Sequence, residues 1–346
     1  MLRHEASLSL LFKRIFIAAG IILAVSLLIT LNSFAQVKWV NVDADYAPLP
    51  FSVQVFKTTD SLDEKPFIAF YVKARLKDMA LDFTTDTTLR RRLTPFKFYE
   101  KNDKPLVVVN GTFFSFETNQ NLNTVIKEGR ILSHTVRKIR SKTDTTVLND
   151  IPIVRGALGI SKKRQADIAW VRSDSSKKHA YAKQNLEKEF LPVFLIHGDP
   201  VKLKKENKKS NRRFISDTAF KKWKMRTAIG GGPVLIDQRD GIKIFNEEEK
   251  MFTGKAINDK HPRTCMGYTG DGYLIIMVIQ GRFPGIAEGA TLEQEAKLLA
   301  DLGCIEALNL DGGGSSCMLI NGKETIKPSD KGQQRPVPAV FIITKK

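Results

Sequence analysis

The sequence predicts a β-rich α+β protein, and three observations carry that expectation. Short apolar runs of four to seven residues recur along most of the chain, broken by Gly, Asn, Asp and Lys. Asn321-Gly322 separates Met318–Ile320 from Glu324–Ile326, a strong two-residue hairpin signal. One segment alone has full helix grammar: Thr291 and Gln294 make a capping box, Leu292, Ala296, Leu299 and Ala300 share a face, and Gly303 follows the end.

Taken in order, Phe51–Phe56 alternates as a strand, Phe67–Leu76 continues in the same style, and Leu81–Thr84 is expected to extend it after a kink. Thr94–Asn102 fits a short helix leading into the apolar strand Leu106–Val109. Another short helix is expected around Thr218–Trp223. Val234–Asp237 and Tyr273–Ile279 read as buried strands, the helix after Thr291 returns to Ala307–Leu310, and Ala339–Thr344 closes the chain.

Arg3, Lys13 and Arg14 flank an apolar run from Ile15 to Leu31, and Ser33-Phe34-Ala35 fits a small-x-small cleavage site. Residues 1–35 are therefore expected to be a signal peptide, or else an uncleaved N-terminal anchor, since the run nearly reaches membrane-spanning length. Either reading puts the remainder outside the cytoplasm, periplasmic or extracellular, with membrane contact only through an uncleaved leader. Residues 36–346 are read as a single domain, with 36–105 a β-rich N-terminal part and 202–224 a basic insertion.

The net charge is +18, of which the leader holds +2. The excess gathers at Lys202–Arg213, at Lys162-Lys163-Arg164 and at Arg90-Arg91-Arg92. Aromatic residues are not interleaved with the basic run, as stacking on nucleic acid would require, so the charge is read as solvated loops that also favour anionic envelope polymers or membrane surfaces. Cys265, Cys304 and Cys317 are an odd set without paired spacing, which suits small buried residues better than a disulfide framework or a zinc site. No cofactor is called for. The Asp and Asn residues of the loops would suit a structural calcium, but their spacing is not diagnostic.

Candidate chemistry lies at glycine turns and strand ends. Asp311 follows an apolar strand and precedes Gly312-Gly313-Gly314 and Ser315-Ser316, a turn whose bare backbone lets another group approach. Polar residues also mark Asn110-Gly111, Arg226-Thr227 ahead of Gly230–Gly232, and Arg263-Thr264. Such a repeated pattern predicts one cleft built from several loops. Arginine's planar fork suits a phosphate or carboxylate. There is no Gly-x-Ser-x-Gly elbow and no phosphate-binding Gly-x4-Gly-Lys-Ser/Thr loop, and the five histidines are scattered.

Five segments occur in one order: Asn110–Phe114, Arg226–Ile236, Pro262–Thr264 with Gly267, Gly289–Leu292 with its helix, and Asn309–Ser316. Over residues 50–346 this series resembles the phosphodiester glycosidase family. The resemblance implies one mixed domain of twisted, mainly antiparallel β-sheet with flanking helices. It also implies hydrolysis of a sugar-1-phosphodiester, or a related phosphate-containing glycan, at the anomeric C–O bond. The family pattern maps onto Asn110, Arg226, Arg263, Thr264, Asp311, Gly312, Gly313, Gly314, Ser315 and Arg335. The chain departs from it at Gln280, before Gly281-Arg282, where family members often carry an acid.

These residues suit the chemistry independently. Breaking an anomeric C–O bond builds positive charge that a carboxylate stabilises, and phosphate leaves readily once its charge is compensated. Asp311 is assigned as nucleophile or base. Arg263, with Arg226 or Arg335, is assigned as phosphate clamp. The glycine amides and Ser315 are oxyanion donors, Asn110 orients a hydroxyl or the phosphate, and Glu288 is a candidate second carboxylate. Two alternatives share these residues: a non-catalytic envelope protein that binds or helps export an anionic exopolysaccharide, and a phosphodiesterase that cuts the P–O bond.

Overall fold

The computed structural model describes residues 37–136, 138–140, 150–152, 154–173, 178–186 and 220–346. The leader, and all but the last five residues of the basic insertion, lie outside the described residues. Trp39–Lys346 forms one compact unit. Among the described residues no helix is long and apolar enough to cross a membrane.

Three sheets dominate, and every strand pairing among the described residues is antiparallel. The eight-stranded sheet has Ala69–Arg75, Tyr273–Ile279, Arg263–Thr269, Cys304–Asn309 and Val234–Asp237 as successive inner strands. The five-stranded sheet contains Val107–Asn110 between Met318–Ile320 and Ala339–Lys345. The seven-stranded sheet is built on Arg155–Ile160, Ala166–Arg172 and Thr227–Gly230. One apolar cluster joins all three, bringing Val72, Met266, Ile276 and Leu308 together with Leu158, Ile229, Val107 and Phe341. Burial on this scale is the main stabilising term, because apolar surface is removed from water on both faces of the central strands.

Several expected elements appear where the pattern placed them. Val234–Asp237 and Tyr273–Ile279 form with the expected limits, and Pro95–Lys101 is a helix capped by Thr94. Leu292–Asp301 carries the full Thr291–Gln294 capping box. Asn321 (φ 48°) and Gly322 (φ 80°) make the turn that pairs Ile320 with Lys323, the two positive φ values that a primed hairpin turn demands.

Other expectations are corrected. Leu81–Thr87 does not extend the preceding strand; it crosses to the five-stranded sheet and pairs with Ala339–Lys345. Lys221–Trp223 is an edge strand rather than helix, because Trp223 finds burial against the seven-stranded sheet. The protein is also more β-rich than expected, with α-helix among the described residues confined to Pro95–Lys101, Asn246–Glu249, Lys255–Asn258 and Leu292–Asp301. The three cysteines are buried and free.

Candidate active site

Asp311 lies just beyond Cys304–Asn309, where the eight-stranded sheet meets the end of Val107–Asn110 from the five-stranded sheet. Its backbone is fixed on both sides: its N–H donates to Gly111 C=O (2.9 Å), and its C=O accepts from Asn110 Nδ2 (2.5 Å). Asn110 is a complete brace. Its Oδ1 accepts from the Thr264 hydroxyl (2.9 Å) and the Cys317 N–H (3.0 Å). Asn110 and Thr264 are both fully buried, and neither lines the cavity in front of Asp311. The expectation that they touch substrate is thereby corrected: their polar groups are spent holding three strands around the Asp311 turn.

That cavity has a volume of about 220 Å³. Asp311, Gly312, Gly313, Gly314, Arg263 and Arg335 line it, all residues singled out in the sequence. Arg282, His261, Asn309 and Phe252 line it as well, and sequence reasoning missed them. His261 was lost among scattered histidines. Arg282 sits in the Gly281-Arg282 pair whose preceding Gln280 drew notice, so its signal was present but read for the wrong residue.

The glycine turn has two distinct geometric needs. Gly313 holds φ +61°, a region costly for residues with a Cβ. A Cβ on Gly314 would fall 2.5 Å from Cζ of Arg335, so the bare backbone is what admits that guanidinium. The Gly313 N–H is committed to Pro262 C=O (2.8 Å). Of the proposed amide donors, that leaves Gly312 and Gly314.

Arg263 is buried, with Nε donating to Ala290 C=O (2.9 Å) and Nη2 to Asp259 C=O (3.2 Å). Burial pulls its guanidinium below the usual arginine value, and the Glu295 carboxyl nearby offsets part of that. Arg335 is oriented by Asp330, Nε to Oδ2 2.9 Å. Exposed Arg282 lies against the Gly313 turn.

Asp311 Oδ2 is buried and has no hydrogen-bond partner. Burial raises the carboxyl to about 7, against smaller opposing pulls from Ser315 and the Arg335 charge. His261, also with an unpartnered buried nitrogen, is pushed below the ordinary histidine value by burial and then by Arg263 and Arg282. Asn309 Oδ1 is buried and unpartnered too. Buried polar atoms in native proteins are almost always satisfied, so orphans gathered around one cavity point to a polar ligand. Ser315 does not reach the cavity wall, and stands instead beside Asp311.

Two expected members lie elsewhere. Arg226 grips Asp82 with both Nη atoms (Nη2 to Oδ2 2.9 Å) at a different cavity, next to Phe83 and Ile160. It precedes Thr227–Gly230, and the far end of that strand, not the arginine, approaches Asn309. Glu288 is half-buried, does not line the Asp311 cavity, and contributes backbone bonds to Arg282 and Pro66. Among the described residues no group of three or more His, Cys, Asp or Glu is placed to hold a metal ion.

Among the described residues, the antiparallel scaffold brings a carboxyl, three arginines and a glycine turn to one cavity. Residues 195–344 match the model of the phosphodiester glycosidase family. Over 95 residues the chain is 40% identical to the SPbeta prophage-derived protein YomE of Bacillus subtilis, covering 28% of this chain and 14% of that one. Over 105 residues it is 30% identical to N-acetylglucosamine-1-phosphodiester alpha-N-acetylglucosaminidase of Mus musculus, covering 30% of this chain and 20% of the mouse protein. The matches thus span no more than a fifth of these relatives' length. The solved catalytic domain of the zebrafish enzyme of the same name has the same fold, with a TM-score of 0.56 at 17% identity, covering 92% of this chain and 91% of that one.

Proposed function

We propose that this protein is an exported hydrolase that cleaves the glycosidic C–O bond of a sugar-1-phosphodiester, releasing free sugar and a phosphomonoester. The observation that carries the reading is the Asp311 carboxyl, one oxygen buried and unpartnered, in a cavity walled by Arg263, Arg282 and Arg335. As the C–O bond lengthens, positive charge grows on the anomeric carbon and the carboxylate stabilises or captures it. Negative charge stays on the departing phosphate, where Arg282, Arg335 and the amides of Gly312 and Gly314 compensate it without rearranging. Water supplies the new oxygen on the sugar. Export rests on the basic, apolar and small-residue order of residues 1–35. C–O rather than P–O cleavage rests on the family match.

The test is hydrolysis of a chromogenic N-acetylglucosamine-1-phosphodiester in oxygen-18 water. Label is expected in the sugar, and activity is expected to fall at least a hundredfold in Asp311→Asn. Label in the phosphate would move the reaction to the P–O bond, and full turnover by Asp311→Asn would remove Asp311 from the chemistry.

A further inference from the structure

The cluster Arg90-Arg91-Arg92 has no part in the chemistry above. Leu93 pairs with Val337 through two backbone bonds (3.0 and 2.8 Å), which fastens this cluster alongside the segment carrying Arg335. Arg92 is thereby held over the loop after Asn110, its guanidinium carbon 5.2 Å from the Phe114 ring centroid and 5.4 Å from that of Phe116. The Arg335 guanidinium carbon lies 5.4 Å from the same Phe116 centroid, so at most twice that distance separates the two cations.

Phe114 is buried and supports Phe116, centroid to centroid 4.8 Å, whereas Phe116 is 63% exposed. Phe116 thus presents an exposed ring next to Arg335, one of the residues lining the Asp311 cavity. Arg335 is paired with Asp330, but Arg92 has no carboxylate within ion-pair distance among the described residues. Beside the cavity-lining Arg335 there are therefore an exposed aromatic ring and a second cation with no ion pair among the described residues.

We propose that Phe116 and Arg92 form an outer subsite that binds a second anionic group, so that the preferred substrate is a phosphoglycan carrying repeated phosphates. The inference rests on the reading that the Asp311 cavity holds a phosphodiester. Phe116 lies under the carbon skeleton between two phosphates, and Arg92 takes the phosphate farther from Asp311.

Titration calorimetry of the full chain with glucose 1-phosphate and with glucose 1,6-bisphosphate separates the possibilities, because the second ligand spans one hexose with two phosphates. Wild type is expected to bind the bisphosphate at least tenfold more tightly. Arg92→Ala and Phe116→Ala should shrink that ratio severalfold and leave glucose 1-phosphate affinity unchanged. Lys163→Ala, in a basic cluster elsewhere, should keep the wild-type ratio; a loss there would mean diffuse attraction and overturn the subsite. Binding of glucose 1-phosphate with no gain from the second phosphate would overturn this inference alone. Failure of both ligands to bind would overturn it together with the phosphate reading of the cavity.

Discussion

Asp311 is a carboxyl that its surroundings make hard to ionise, and two measurable consequences follow. Burial lifts it to about 7, so if the ionised form does the chemistry, kcat/KM should fall roughly tenfold per pH unit below that value. His261 is displaced below the ordinary histidine value by burial and then by Arg263 and Arg282, so any limb it adds lies on the acid side of that of Asp311. A profile that rises on acidification would instead make Asp311 a proton donor. The second consequence concerns stability. A raised acid binds its proton more tightly in the folded state, so ionising it opposes folding once the pH exceeds the unfolded value. Asp311→Asn should therefore melt higher than wild type at pH 8 and equally at pH 4, which also shows that its lost activity is not lost folding. The sequence identifies Asp311 from the glycines after it, but the shift comes from walls contributed by residues distant in the chain.

At the scale of elements, the glycine turn and the strand ends around it do the positioning. Gly314→Ala would place a methyl against the Arg335 guanidinium, the movable end of a long side chain, while the backbone of Gly314 needs no positive φ. The expected result is a shift in melting temperature of less than about 3 °C, on the order of 1 kcal/mol or less for a domain of this size, with KM for the phosphodiester raised at least tenfold. A fall in stability without a change in KM would mean that Arg335 does not serve the substrate. Elements with strong local signals were legible: the capped helix Leu292–Asp301, the Asn321-Gly322 hairpin and the apolar strand Tyr273–Ile279. Lys221–Trp223 was not, because its strand character comes from edge pairing and the burial of Trp223, and neither is local. Arg226 misled for a similar reason. It is contiguous with a family motif, yet its guanidinium turns to Asp82 at a separate cavity.

Across the whole molecule, the three-sheet core also traps acids. Glu249, Glu295 and Glu306 are buried, and burial raises each to about 7. Glu249 accepts from Val234 N–H, Gly156 N–H and Trp170 Nε1, and Glu306 from Tyr268 Oη and Ile168 N–H, whereas Glu295 has only the Arg263 charge and the Cys265 thiol to oppose its rise. The folded state holds these protons more tightly than the unfolded one, so their contribution to stability falls as pH rises from about 4.5 to 7. Glu295→Gln removes one such group. Its melting temperature relative to wild type should climb across that interval and level off above it; parallel curves would show that Glu295 keeps an ordinary carboxyl. What the sequence determined by itself was local: hydrophobic period, helix cap, hairpin turn, glycine bend and the presence of a carboxyl beside it, each fixed by the residue's own conformational limits and its near neighbours. Only the tertiary structure decided which arginines reach Asp311, that Asn110 braces rather than binds, and that His261 and Arg282 belong to the cavity. Those facts depend on antiparallel registers between strands far apart in the chain, where shared burial rather than any adjacent side chain sets the geometry.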